Sequence, residues 1–277
     1  MTAVRVDEVW FSYASDPVVR GVSLVVPRGE SVALLGHNGA GKTTLTKLMV
    51  GLLAPSRGTI EVAGVETRGK APEDLARVAA YVFQHPDQQL FARTVLEEVA
   101  FAPRQLGRTT AETESDVASA LREVGLEASA GVHPYDLTLA ERKLVTLAAA
   151  IAQRPQVLIL DEPTQGMDAA FRDRVFRIVR DLAARQVTIL AVTHDPTYVA
   201  EASDRVIVMA RGAVVADVPA RSLVTDELQA RELGLTLPAA ARLSLALRLE
   251  GTPTRVRDVA QAIKSRDPSR ASRDPSA

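Results

Sequence analysis

The sequence predicts an α/β protein, with a mostly parallel sheet covered by helices on both faces. Three observations carry that prediction. Short apolar runs recur at Ser31–Leu35, Val157–Leu160 and Thr188–Val192. Apolar residues at helical spacing follow two of them, at Leu45, Leu48, Met49 and Leu52 and at Phe171, Val175, Ile178 and Leu182. Between the first run and its helix stands a G-x-x-x-x-G-K-[ST] phosphate loop, Gly36-His37-Asn38-Gly39-Ala40-Gly41-Lys42-Thr43, continued by Thr44.

Before the loop, Val4–Trp10 and Val22–Val26 read as strands, and Pro27-Arg28-Gly29 turns the chain into Ser31–Leu35. Phe11-Ser12-Tyr13 precedes the loop at Ala14–Pro17. An aromatic there, near a phosphate site, suits either stacking on a base or ordinary edge packing. In the phosphate loop, glycines at 36, 39 and 41 let the backbone approach phosphates where a Cβ would obstruct. The loop N–H groups and the helix N-terminus then face the anion. Thr59–Val62 and Ala79–Phe83 are the next strands, and Gln84 follows the second directly. In the turn-rich His85-Pro86-Asp87-Gln88-Gln89, a single histidine before proline reads as solvated rather than as a ligand.

Residues 94–153 change character. Thr94–Glu97 and Thr138–Glu141 are capping boxes, each opening a helix. Between them Val117, Leu121 and Val124 keep helical spacing up to Gly125, and the second box leads into Leu144, Leu147, Ala148 and Ile151 before Pro155. No strand-like run occurs here, so about 86–153 is expected to be a helical insertion in the sheet domain. Val157–Leu160 ends at Asp161-Glu162, and Thr188–Val192 ends at Thr193-His194-Asp195. Arg205–Met209 and Val214–Val218 form a hairpin through Arg211-Gly212. From 226 the pattern is helical, through Leu228, Leu233 and Ala239–Leu249. We expect a sheet domain over 1–225, a helical extension over 226–263 and a disordered tail over 264–277, where Ser-Arg-Asp-Pro-Ser occurs twice.

A chain of 277 residues, 47% hydrophobic, can bury a core of this size. Its net charge of −1 gives no electrostatic case for nucleic acid. It has no cysteine, which excludes thiol nucleophiles, disulfides and thiolate metal sites and suits a reducing compartment. No apolar run approaches membrane-spanning length, and the N-terminus lacks the apolar core of a signal peptide. The expected place is the cytoplasm, with membrane contact through a partner.

Ligands of parallel sheets sit beyond the carboxyl ends of the strands. Four apolar strands here end just before a polar candidate: Gly36, Gln84, Asp161-Glu162 and His194. That gathers them around one nucleotide, with chemistry suited to metal-assisted phosphoanhydride hydrolysis. Lys42 would reach the terminal phosphates. Thr43 would ligate Mg²⁺, and Asp161 would hold it through water. Glu162 would polarise the attacking water, His194 would orient that water or the γ-phosphate, and Gln84 could sense metal and water. The competing reading of Asp161-Glu162 is a strand-end turn before Pro163.

These residues resemble the ATP-binding-cassette (ABC) nucleotide-binding domains over roughly 1–225. The resemblance rests on the loop at 36–43, Gln84 as Q-loop, Val157–Glu162 as Walker B, Gly166-Met167-Asp168 as D-loop and His194 as switch histidine. It implies a P-loop NTPase (RecA-like) core with an antiparallel β subdomain and a helical subdomain, ATP and Mg²⁺ as cofactors, and adenine stacking on Tyr13. Val82–Phe91, Thr94-Val95 and Val99–Pro103 further resemble the energy-coupling-factor (ECF) importer ATPases of the cobalt, nickel and vitamin type. That implies a peripheral protein on the inner face of the cell membrane, working with an integral membrane coupling subunit and a substrate-binding membrane subunit. Two other classes stay open: a non-transport ABC protein, and a nucleotide-binding regulatory subunit with little hydrolysis of its own.

One motif departs from the family. Its Leu-Ser-Gly-Gly-Gln signature falls at Leu137-Thr138-Leu139-Ala140-Glu141. Both glycines are gone, and Glu141 brings an anion toward the partner's γ-phosphate, where two unit charges about 4 Å apart interact by roughly 4 kcal/mol near a surface. Because Thr138 and Glu141 can close their own helix end, the helix is kept while its phosphate contact is lost. A heterodimer with a second ABC ATPase carrying an intact signature is therefore expected in preference to a homodimer.

Overall fold

The computed structural model describes residues 1–232, 236–249, 251, 253, 254 and 256–266. In chain order the elements open with β1 (Thr2–Ser12), β2 (Pro17–Pro27), β3 (Ser31–Leu35), α1 (Lys42–Met49), β4 (Arg57–Val62), β5 (Val65–Glu66), α2 (Pro72–Leu75) and β6 (Ala79–Val82). Three longer helices follow: α3 (Val95–Gln105), α4 (Thr110–Val124) and α5 (Leu139–Ala152). The chain then returns to alternation with β7 (Val157–Asp161), α6 (Ala169–Ala184), β8 (Thr188–Val192), α7 (Pro196–Ala202), β9 (Arg205–Ala210) and β10 (Ala213–Pro219). It continues through α8 (Ala220–Thr225), α9 (Glu227–Glu232), α10 (Ala239–Ala246) and α11 (Val256–Arg266).

The main sheet runs β10-β9-β3-β8-β7-β6, parallel except for the edge strand β10. A second, antiparallel sheet runs β2-β1-β4-β5. Every residue of β3, β7 and β8 is buried, which is why these strands are continuous apolar runs rather than alternating ones. Alternate residues of β7 serve two interiors. Val157 and Ile159 pack with Leu45, Leu48 and Met49 of α1 and with Val4, Val6 and Ile60 of the antiparallel sheet. Leu158 and Leu160 pack with Leu144 and Leu147 of α5 and with Val175 and Phe176 of α6. The central sheet is thus held on both sides, and its strand ends are fixed relative to α1 and α5.

The expected helical insertion forms α3, α4 and α5. Its own buried charge, Asp116 on α4, pairs with Arg108 at 3.2 Å and with Arg154 just past α5. One boundary and one cap differ from the sequence reading. Leu52 lies beyond α1, 44% exposed, because α1 ends at Met49. At Thr94 the hydroxyl accepts from the Glu97 N–H at 3.1 Å, the half of the capping box recorded there. A complete box at Thr109 and Glu112, not singled out from the sequence, opens α4. The helical pattern after 226 becomes α9, α10 and α11, and α11 continues to Arg266, so 264–266 are helical rather than part of a disordered tail. Leu233 and residues 267–277 lie outside the described residues.

Candidate functional site

The strand order places four loops side by side at the carboxyl edge of the sheet: those after β3, β8, β7 and β6. The loop after β3 is held open by its glycines for two different reasons. A Cβ on Gly41 would lie 2.6 Å from the Val18 carbonyl, and one on Gly36 would collide with the Met209 carbonyl. Gly39 has free space around it, and its φ of 80° alone requires glycine. At Gly36 and Gly41 the neighbouring backbone excludes a Cβ, and at Gly39 the backbone conformation does. Lys42 curls back over the loop, where its Nζ donates to the carbonyls of Gly36 at 2.6 Å and His37 at 3.0 Å. Burial lowers its pKa, opposed by the nearby Glu162 and Asp161 carboxylates. Gly41 is the N-cap of α1, and no side chain caps that helix. The first N–H groups of α1 are thus left to a ligand or to solvent.

Asp161, buried at the end of β7, draws together three hydroxyls. Thr43 donates to its Oδ2 at 3.3 Å and Tyr81 at 3.1 Å, while the Tyr81 hydroxyl also meets Thr46 at 3.2 Å. Burial raises the Asp161 pKa, and the hydrogen bonds from Tyr81 and Thr43 oppose the rise. The same burial pushes the Tyr81 phenol upward, helped by the Asp161 charge. Thr43 and Asp161 offer hard oxygen donors facing each other beside the phosphate loop, which fits Mg²⁺ held by one or two protein oxygens, phosphates and water.

Glu162 follows with φ of 48°, a left-handed conformation at a non-glycine residue. Its N–H donates to the Val192 carbonyl of β8 at 2.8 Å, and its carbonyl accepts from Lys143 Nζ at 2.9 Å. Its carboxylate lies 2.7 Å from His194 Nδ1, so the histidine after β8 and the glutamate after β7 form one pair. Gln84 donates to Gln165 Oε1 at 2.9 Å, which turns its amide toward the loop after Glu162. Tyr13 is 62% exposed, packs edge-on to Phe11, and brings its hydroxyl to 3.3 Å from Thr44. His37 and Asn38 face a cavity of about 790 Å³ shared with Thr193, His194 and, from α9, Arg231 and Glu232. Ala40, buried, closes the loop's first turn through its N–H to the His37 carbonyl at 3.1 Å.

The remaining candidates stand on other elements. Asp168 is the N-cap of α6 and accepts from the Phe171 N–H at 3.0 Å, just after the turn through Gly166 and Met167. Gly166 lies against Leu139, which a Cβ there would touch at 3.4 Å. At the start of α5 the capping box is complete. The Thr138 N–H donates to Glu141 Oε2 at 2.9 Å, the Thr138 hydroxyl donates to the same oxygen at 2.7 Å, and the Glu141 N–H returns to the Thr138 hydroxyl at 3.3 Å. Those bonds from Thr138 hold the Glu141 carboxyl below its ordinary pKa, so it stays an anion. Leu137 leads into this turn with extended backbone, and Ala140 sits in its first helical turn.

Tyr81 and Lys143 belong to the site but were not singled out from sequence. For Tyr81 the signal lay in sheet register. It pairs with Ile159, and Asp161 is two residues on, hence on the same face. For Lys143 it lay in helical spacing, because the lysine sits four residues before Leu147 on the buried stripe of α5.

The model of the ABC transporter family matches residues 19–165, from β2 to the loop after Glu162. The chain belongs to the ABC transporter family. It is an ATP-binding, ATP-hydrolysing subunit with a P-loop NTPase fold. Among curated relatives, one from Gloeobacter violaceus, named in general terms as an ABC transporter ATP-binding protein, is 40% identical over 84% of this chain and 96% of its own length. The energy-coupling factor transporter ATP-binding protein EcfA of Methanothermobacter thermautotrophicus is 34% identical over 90% of this chain and 81% of its own. The structure of cbiO1 from Clostridium perfringens, part of the ABC transporter complex cbiONQ, superposes with a TM-score of 0.75 at 30% identity, covering 87% of this chain and 98% of that one. Among the described residues no helix is long and apolar enough to cross a membrane.

Proposed function

We propose that this ABC subunit powers an ECF-type importer for a vitamin or a transition-metal ion, and that it works paired with a different ABC ATPase. The likeness to EcfA and cbiO1 supports the importer reading. It also supports an integral membrane coupling subunit and a substrate-binding membrane subunit as partners, with this chain bound peripherally at the inner face of the cell membrane. The observation that carries the heterodimer is the closed capping box at Thr138 and Glu141. In a head-to-tail pair each ATP lies between one chain's phosphate loop and the other's signature. An anion already seated on its own helix end leaves no place there for a γ-phosphate. The Leu137–Glu141 side is then the degenerate one, and Gly166–Asp168 lies beside it in the contact between subunits.

On the other side, the backbone of Gly36–Thr44 cradles the phosphates. Lys42 leaves its loop carbonyls for the terminal phosphates, and Tyr13 stacks on adenine. Thr43 and Asp161 hold Mg²⁺, with Gln84 turning toward it from Gln165. Mg²⁺, when bound, neutralises charge on the phosphates. Glu162 polarises the attacking water, and His194, already paired with its carboxylate, orients that water or the γ-phosphate.

The test is reconstitution with the candidate partner ATPase. The mixture should hydrolyse ATP much faster than this chain alone. Glu162→Gln in this chain should lower the mixture's turnover by about 100-fold or more. Unchanged turnover would overturn the assignment of Glu162, and vigorous hydrolysis by the pure chain would overturn the unequal pair.

A further inference from the structure

The environment of Lys143 exceeds what helix packing requires. Its residue is only 6% exposed, on a helix whose neighbouring buried positions are Leu144, Val145 and Leu147. A buried ammonium is costly unless it is paired and hydrogen-bonded. Its ammonium donates to the main-chain carbonyl of Glu162 at 2.9 Å. Burial lowers its pKa, and the nearby Glu162 and Asp161 charges oppose that shift. That carbonyl belongs to a residue whose φ is 48°, a region that side-chain-bearing residues adopt only when their surroundings hold them there. The N–H of Glu162 is held from the opposite side by Val192 of β8. The peptide units on either side of this strained residue are thus fixed by different elements, one by the sheet and one by α5.

We propose that Lys143 is a positioning residue for hydrolysis: it holds the Glu162 backbone left-handed and so aims the carboxylate toward His194. The lysine acts through Glu162, and the inference rests on the role proposed above for that glutamate. The same contact links α5, whose first turn is the closed Thr138–Glu141 box, to the end of β7. The Lys143 ammonium therefore transmits the placement of α5 to the hydrolytic carboxylate.

The test uses the reconstituted pair with the full chain, comparing Lys143→Met, Lys143→Arg, Glu162→Gln and the Lys143→Met/Glu162→Gln double variant. Methionine keeps the stem and removes the charge, and its kcat should fall about tenfold with KM for ATP within about twofold. The affinity of the isolated chain for a fluorescent ATP analogue should stay unchanged. Arginine should restore part of kcat, and the double variant should be no slower than Glu162→Gln alone. Additive losses in the double variant, or equal losses in kcat and nucleotide affinity, would overturn the proposal in favour of a purely structural lysine. So would an unaffected Lys143→Met beside a crippled Glu162→Gln. Should Glu162→Gln itself leave turnover intact, the role of Glu162 fails first. If Lys143→Met does not fold, the Lys143→Arg variant and its double with Glu162→Gln carry the same comparison.

Discussion

Two helix N-termini in this molecule meet the same physical problem and solve it in opposite ways. Both α1 and α5 begin with main-chain N–H groups that lack an intrahelical acceptor. At α1 the N-cap is Gly41, no side chain closes the end, and the lysine of the loop rests on carbonyls it can release. At α5 the N-cap is Thr138, and Glu141 folds back to take the Thr138 N–H and hydroxyl. One end is left for an anion from outside, and the other carries its own. The difference lies in residue type, since the α1 end needs positive φ at Gly36, Gly39 and Gly41, whereas the α5 end is built from an extended Thr138 and ordinary helical residues. On the function proposed above, a subunit with one open and one closed end is complete on one side of a pair and depends on a different partner for the other.

The largest effect should come from the open end. Lys42→Ala removes the cation that the loop stores, and hydrolysis should fall on the order of 100- to 1000-fold. ATP binding, followed by titration calorimetry, should weaken in parallel. Folding should be little affected, because the recorded hydrogen bonds of the Lys42 ammonium run to the loop's own carbonyls. A protein that unfolds instead would mean that the loop is structural rather than a receptor.

The next effect tests the closed end. Replacing Leu139, Ala140 and Glu141 by Gly, Gly and Gln opens α5 in the manner of α1. ATP-driven self-association, read by size-exclusion chromatography with light scattering, should appear, and turnover of the pure chain should rise about tenfold, a change of only about 1.4 kcal/mol. Each glycine should cost the helix about 1 kcal/mol. A triple variant as inactive as the parent would show that the obstacle to self-pairing lies elsewhere on the surface.

How much of this was readable beforehand follows the same division. The strand ends at Leu35, Asp161 and Val192 were legible because buried parallel strands are unbroken apolar runs, and the polar residue that ends each run marks the site edge. The closed box was legible because its two residues are three apart and make their bonds locally. Tyr81 and Lys143 were not, because each reaches the site across the fold. Tyr81 meets Asp161 only through the β6–β7 register, and Lys143 meets Glu162 only once α5 has packed beneath β7. The turn of Gln84 toward Gln165 was hidden for the same reason, being a contact between residues 81 apart. Leu52 misled because helical spacing continued past the residue where the backbone left the helix.

The smallest effects sharpen what the Thr138–Glu141 pair does. Thr138→Ala should destabilise the fold by about 1 kcal/mol. For a chain of this size that lowers the unfolding midpoint by about 2–4 °C, measured by calorimetry, with ATP affinity unchanged. The pH dependence then isolates the charge. Hydrogen bonds from Thr138 lower the Glu141 pKa in the folded state. A depressed carboxyl contributes stability that is present above its unfolded pKa and is lost as pH falls through the folded one. The gap in stability between the parent and Glu141→Gln should therefore be constant near neutrality and shrink as the pH drops below the ordinary carboxylate range. Glu141 is half-buried at the surface of the helix end, so solvent screening keeps that gap small. Denaturant unfolding at a series of pH values would resolve it. A gap that stays constant into acid would mean that Glu141 serves α5 as a hydrogen-bond acceptor irrespective of charge, and that glutamine can fill the same place.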